Sequence, residues 1–287
     1  MYLTVQHITE YRYEEPAWDS FNELRLRPTD DYRQTLLEYD LRLEPKTTLR
    51  SHRDYYSNLM QSFHLAGDHT SLRIEANSAV VTYAIPKPNA VYAHTLPELR
   101  NRFFEFLAPT GRVPLNRNWF DTFGALRLSP EHEVVTYLEN LTKYLHEHFT
   151  YQPNTTDVNT PLAEFAKQNT GVCQDYAHAM LAICRSASIP SRYVSGYVHS
   201  NPEGDEGLLG AEGSHAWIEA FLPGSGWVGY DPTNGIMVNE AHVKIGVGRD
   251  YGDVPPVSGL RRGGGGSKLN VTVKVRRRQE KHEAVGV

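Results

Sequence analysis

The sequence predicts an α+β fold in which an all-β region precedes a helical stretch that gives way to further strands. Three observations predict it. Alternating apolar residues with period two dominate the first 90 positions. Helical spacing takes over after Ser129, and the period returns to two after Pro190.

The first region, residues 1–90, is read as a β-sandwich. Leu37, Tyr39, Leu41 and Leu43 alternate with polar neighbours, as do Leu72, Ile74 and Ala76, and Leu3 with Val5. Turn signals at Glu14-Glu15-Pro16, Arg27-Pro28-Thr29-Asp30 and Ala66-Gly67-Asp68 separate short strands. Residues 91–128 form a connector after the Pro86/Pro88 stretch, with a short helix over 96–107.

Residues 129–250 form the core. Ser129 is a good N-cap, Pro130 suits the first helical position, and Glu131 and Glu133 favour the positive end of the dipole. Val134, Leu138, Leu141 and Leu145 mark its buried face. A shorter helix opens at Thr160-Pro161. A third runs from Cys173 to Ser188, with Ala177, Leu181 and Cys184 as its stripe and Pro190 beyond its end. Strands follow at Arg192–Val198, Ser214–Leu222 and Trp227–Asp231, the last two joined by a hairpin turn at Pro223–Gly226. Residues 251–287 carry a Gly263–Ser267 loop and a final strand with Leu269, Val271, Val273 and Val275 in alternation, free to pair with either region.

Composition bounds the function. Hydrophobic residues at 40% and charged residues at 22% are those of a globular protein able to bury a core over 287 residues. A net charge of −5 without a long basic tract makes nucleic acid an unexpected partner. No apolar run of membrane-spanning length and no leader-like start are visible, so a cytoplasmic location without membrane partners is expected. The two cysteines, Cys173 and Cys184, would lie roughly 16 Å apart on one helix at about 1.5 Å per residue, too far for a disulfide.

Cys173 is the expected nucleophile. Gly171 lets the chain turn tightly, the helix dipole favours a thiolate, and the free N–H groups of the first turn can hold an oxyanion. Cys184, mid-helix, is expected to be structural. His215, one of 13 histidines, is the expected base, and Asp231, at the end of the following strand, the group that accepts its Nδ1–H. Pairing Leu222 with Trp227 would set His215 opposite Asn234, near Asp231 but without fixing the contact.

The segments Gly171-Val172-Cys173-Gln174-Asp175, Ser214-His215-Ala216-Trp217 and Tyr230-Asp231-Pro232-Thr233 together resemble the transglutaminase-like superfamily, above all its bacterial members. Gln6-His7-Ile8-Thr9-Glu10-Tyr11-Arg12-Tyr13 is similar to the N-terminal region of those proteins. The resemblance implies a papain-like transglutaminase core preceded by an all-β sandwich domain, with Cys173, His215 and Asp231 as triad. It also implies a side-chain oxyanion donor ahead of the cysteine helix, for which Tyr151 or Gln152 is expected. Gln174, Asp175, His178 and Trp217 are assigned supporting roles: Asp175 and His178, one turn apart, are placed to bond each other, and Trp217 fills the core or walls the acyl pocket.

Neither metal nor cofactor is expected. Cys173-x-Asp175-x-x-His178 lacks zinc spacing, His146-x-His148 reads as a solvated pair, and no acidic loop fits calcium. The acidic segment from Glu203 to Glu212 is expected to be a loop near the site. The expected activity is amide cleavage through a thioester, as a cysteine protease or amidase acting on a peptide or protein, a cell-wall peptide included. A transglutaminase using a primary amine, or an inactive scaffold module, is the alternative.

Overall fold

The computed structural model describes residues 1–116, 118–200, 207–210 and 213–278. The N-terminal region consists of β1 (Tyr2–Leu24), β2 (Gln34–Glu44), β3 (Arg50–Arg53), β4 (Leu59–Leu65) and β5 (His69–Thr82). After a connector come α1 (Trp119–Thr122), α2 (Val134–His148), β6 (Thr150–Tyr151), α3 (Leu162–Gln168), β7 (Thr170–Gly171) and α4 (Cys173–Ser186). The second set of strands is β8 (Ser191–Val198), β9 (His215–Leu222), β10 (Gly226–Asp231), β11 (Ile236–Met237) and β12 (His242–Gly248), followed by β13 (Val257–Gly263) and β14 (Ser267–Arg277).

The N-terminal region is β-rich, but its strands belong to one continuous sheet in which β1 is shared. Glu14-Glu15-Pro16 does not end a strand: β1 runs on, with a register break between Arg12 and Ala17. Its first half pairs with β5 and β14, its second with β4 and β13. Leu43, Leu72, Ile74 and Ala76 from the β2–β5 side pack with Leu24, Phe63 and Leu65 from the β4 side, so the sheet closes over its own core. The last 20 or so described residues are therefore not a loop and a single strand. They form a hairpin turning through Gly263–Ser267, both arms of which complete β1.

The core is a five-stranded sheet in the order β11-β10-β9-β8-β12, with α4 against it. Ala216, Ile218, Ala220 and Leu222 alternate along β9 and share one apolar cluster with Ala177, Leu181 and Cys184 of α4. The expected one-sided stripe on α4 is a correction: every residue from Cys173 to Arg185 is buried, because β8 and β9 cover one side and α1, α2 and α3 others. The helix expected from Ser129 begins at Val134. Glu133 caps it instead, its carboxylate accepting the N–H groups of Val135 and Thr136 at 2.9 and 2.6 Å. The expected helix over 96–107 is two short 3₁₀ turns, Ala93–Leu99 and Phe104–Phe106.

The two regions are joined by apolar and polar contacts. Leu3, Val5, Val80 and Val273 pack with Tyr197, Val243 and Ile245 of β8 and β12. His7, from the N-terminal motif, links Thr9 Oγ1 and Tyr197 Oη through its two ring nitrogens at 2.9 and 3.0 Å. No helix among the described residues is long and apolar enough to cross a membrane.

Candidate active site

Cys173 opens α4 directly after β7, which pairs in parallel with β6 through Thr150–Thr170 and Tyr151–Gly171. The turn into the helix is fixed by Asp175, whose Oδ2 accepts the Val172 N–H at 2.8 Å and the Thr156 hydroxyl at 2.6 Å. Burial pushes the Asp175 pKa up despite these bonds. The amides of Cys173 and Gln174, at the first two helical positions, have no carbonyl in the helix to bond. Cys173 is about nine-tenths buried, and its sulfur lies 3.9 Å from the Ser214 carbonyl, beside the first residue of β9.

That residue is His215. The hairpin between β9 and β10 pairs Leu222 with Gly226, one position from the expected register, and its last pair is Ile218–Tyr230. The strand then ends at Asp231, whose carboxylate turns back to the imidazole. The bond is made by Nε2, at 2.8 Å from Oδ2, not by Nδ1 as the sequence reading had it. The exchange follows from the fold: β10 lies on the Nε2 side of the ring, which leaves Nδ1 as the nitrogen available to the sulfur. Nδ1 is buried and has no ordinary hydrogen-bond partner.

The electrostatics follow from burial and pairing. Burial alone would lower the His215 pKa, but the Asp231 charge and bond, with a contribution from Cys173, raise it to about 10. Burial would raise that of Asp231, yet His215 and His242 hold it far below the carboxylate range. Five donors converge on this carboxylate. Oδ2 takes His215 Nε2, His242 Nε2 at 3.1 Å and Asn234 Nδ2 at 2.7 Å; Oδ1 takes the N–H groups of Thr233 and Asn234 at 3.0 and 3.2 Å. Asn234 also grips the segment over the site, its Oδ1 accepting Leu209 N–H at 2.7 Å and its Nδ2 reaching Leu209 O at 3.3 Å.

The other expected residues divide. Trp217 belongs to a small core cluster with Val194, Val238 and Val247, and meets the His242 ring edge-on at 5.3 Å between centroids. It lies so close over Gly196 that a β-carbon there would stand 2.4 Å from the indole. Asp175 and His178 do not bond each other. Asp175 turns to Val172 and Thr156, whereas His178 Nε2 accepts the Tyr251 N–H at 3.2 Å. Gln174 Nε2 points to the Val158 carbonyl at 3.4 Å. Tyr151 is half-buried on β6, and Gln152 is exposed, its N–H donating to Gly171 O at 2.9 Å. Cys184 is fully buried, which pushes its thiol up to about 12. His146 and His148 are both exposed, as expected, with His146 Nδ1 2.8 Å from Thr233 O.

Sequence reasoning missed β12, and with it His242. The alternation of Val243, Ile245 and Val247 was the signal for the strand. Among the described residues, the facing nitrogens and oxygen of His215, Asp231 and His242 lie within 4.8 Å of one another, close enough to hold an ion, and all three are engaged in hydrogen bonds. Of the acidic segment from Glu203 to Glu212, residues 203–206 and 211–212 lie outside the described residues.

Comparison with known proteins agrees with this architecture. Over 280 residues the chain is 36% identical to an uncharacterised protein of Mycobacterium leprae, covering 96% of this chain and 98% of that one. It is 31% identical over 138 residues to a Pseudomonas aeruginosa protein named protein-glutamine gamma-glutamyltransferase, of which it spans 20%. A candidate cysteine protease from Cytophaga hutchinsonii has the same fold, with a TM-score of 0.75 at 20% identity, over 96% of this chain and 90% of that one. The bacterial transglutaminase-like N-terminal region matches residues 3–81, and the transglutaminase-like core matches residues 125–232. With both segments matched and a relative aligned along nearly its whole length, the chain belongs to the transglutaminase-like superfamily, whose members are typically cysteine-based enzymes and whose papain-like core it adopts.

Proposed function

We propose that this protein is an acyl-transfer enzyme that cleaves amide bonds through a thioester on Cys173, with His215 as proton carrier and Asp231 as its orienting carboxylate. The observation that carries the reading is the 2.8 Å bond between Asp231 Oδ2 and His215 Nε2, which leaves Nδ1 for a thiol at a helix start. An imidazolium in contact with a thiol favours a thiolate ion pair.

The thiolate attacks the carbonyl carbon of the scissile amide, forming the C–S bond and an oxyanion. The N–H groups opening α4 receive that oxyanion, and Tyr151 or Gln152, beside the strand that leads into the helix, is the proposed second donor. As the C–N bond breaks, His215 passes its Nδ1 proton to the leaving amine. The neutral imidazole then takes a proton from water, whose oxygen attacks the thioester. The C–S bond breaks to release the acid and restore the ion pair. An amine in place of water gives a new amide. The resemblance to a protein-glutamine gamma-glutamyltransferase over 47% of this chain favours that second outcome as the alternative.

The test exposes a peptide library to wild type and Cys173→Ala in the presence of a labelled primary amine, followed by mass spectrometry. Free acid produced by wild type alone is the expected result. Labelled amide would assign transfer. Equal products from both proteins, or from neither, would sink the nucleophile and favour a scaffold role.

A further inference from the structure

The hydrogen-bonded series does not end at Asp231. His242, the first residue of β12, comes from a strand separated from β9 by β8, and its ring reaches the same carboxylate oxygen that His215 uses. Its side chain is as fully enclosed as those of His215 and Asp231. The ring's other nitrogen, Nδ1, accepts the Asn239 N–H at 3.3 Å. Nδ1 also lies 3.2 Å from Asn239 Oδ1, so it is the other end of the ring that decides the tautomer: the Asp231 carboxylate can only accept, and Nε2 of the neutral ring therefore carries the proton and donates it to Oδ2 at 3.1 Å. Trp217 holds the ring from the side with its edge-on contact.

Two histidines on one carboxylate cannot share its charge equally. The charged and titratable groups around His242 are Asp231, His215 and Arg33. Burial lowers its pKa, and the two neighbouring cations oppose a third, so His242 stays neutral while His215 takes the positive charge. A neutral N–H donor is what the geometry requires here. It pins Oδ2 in place without competing with His215 for the ion pair.

We infer that His242 is a positioning residue for the proposed reaction, a fourth member of the series that holds Asp231 in register with His215 through its Nε2–H. It touches no reacting atom and acts through the carboxylate. The inference rests on the Cys173–His215–Asp231 reading and adds to it the group that orients the orienting residue.

The test compares His242→Gln with His242→Met, two side chains of similar length that differ in whether they carry an N–H at the right distance. Cys173→Ala is the reference, and thermal unfolding of each variant establishes that it is folded. The readouts are the rate of Cys173 alkylation by iodoacetamide at mildly acidic pH, and kcat and KM on the peptide that wild type cleaves fastest. The expected result is a fall in kcat on the order of 10- to 100-fold for His242→Met at unchanged KM, less than the roughly 10⁴-fold cost of a misdirected catalytic histidine. Alkylation slows in parallel, and His242→Gln restores both to within about threefold of wild type. Equal rates for the Gln and Met variants, whether both high or both low, would overturn the inference, as would a loss confined to KM. Activity surviving in Cys173→Ala would instead overturn the reading of the site itself, so the two failures are distinguishable.

Discussion

Gly210 rests against the imidazole of His215: a β-carbon on that glycine would stand 2.4 Å from Nδ1, and its backbone has a positive φ of 83°. Any side chain there meets the ring and also strains the backbone. Gly210→Ala should therefore lower turnover more than 10-fold or so, by turning the imidazole away from the sulfur, a loss of the kind expected when a reacting group is misplaced by about 1 Å. Because the segment is a surface loop anchored by Asn234, global stability should change by less than about 1 kcal/mol. Steady-state kinetics beside a urea melt checks both. A variant with unchanged kcat would mean that the loop yields and does not set the ring.

Glu219 supplies a different kind of anchor. It is fully buried on β9, with Arg192 bonding Oε2 through two nitrogens at 2.8 and 2.6 Å, Lys244 at 3.0 Å from Oε1 and Arg33 at 3.9 Å. Lys244 also pairs with Asp31, so the cluster ties the segment before β2 to the core sheet. Replacing Glu219 with Ala leaves Arg192 and Arg33 without their carboxylate partner and should destabilise the protein by about 3–5 kcal/mol. Burial would raise the Glu219 pKa, but Lys244, Arg192 and Arg33 bring it down to about 2, against 4.5 unperturbed. The cluster's contribution is therefore complete above pH 4.5 and is lost as pH falls toward 2. Urea unfolding of wild type and variant at pH 7 and pH 3 is the measurement; the gap between them should narrow at the lower pH.

The parts of this structure legible in the sequence were those specified by neighbours in the chain. Gly171 and Pro190 bracket α4 and so place Cys173 at a helix start, and the Pro223–Gly226 turn makes β9 and β10 neighbours. What stayed hidden depended on strands meeting across space. The nitrogen with which His215 meets Asp231 turned on the side from which β10 approaches. The contact of His242 with Asp231 required β12 to lie beyond β8, an adjacency no local pattern encodes. Likewise, Leu269, Val271, Val273 and Val275 announced a strand, but its partner, β1, lies more than 250 residues away. Ser129 misled because a good capping residue was overruled by Glu133, whose carboxylate also reaches the Val91 N–H at 3.2 Å and so secures the connector.

The distant pairing of β14 has its own consequence. A chain ending at residue 256 would lose both β13 and β14 and leave the two halves of β1 with one open edge each. Exposed strand edges invite pairing with other chains. Such a truncation should be aggregation-prone even though Cys173, His215 and Asp231 all remain. Size-exclusion chromatography of the soluble fraction checks this; a monodisperse, fully folded truncation would show that β1 is stable without its C-terminal partners.

The charge on His215 predicts how the proposed activity responds to base. With its pKa raised to about 10 by Asp231 against the pull of burial, the ring keeps its proton through neutral pH and can deliver it to a leaving amine. Turnover should hold up to mildly alkaline pH and fall as pH rises through about 10. The same shift acts on stability: the raised value, against 6.5 unperturbed, contributes fully below pH 6.5, and the contribution drains away between there and pH 10. Asp231→Asn removes the largest contribution that opposes burial and leaves only Cys173 to do so, so the ring loses its proton at lower pH than in wild type. The alkaline limb of the kcat profile should accordingly move to lower pH, and the variant should lose much of its base-sensitive stability. An alkaline limb that stays near pH 10 in Asp231→Asn would mean that the group titrating there is not His215 held by this carboxylate.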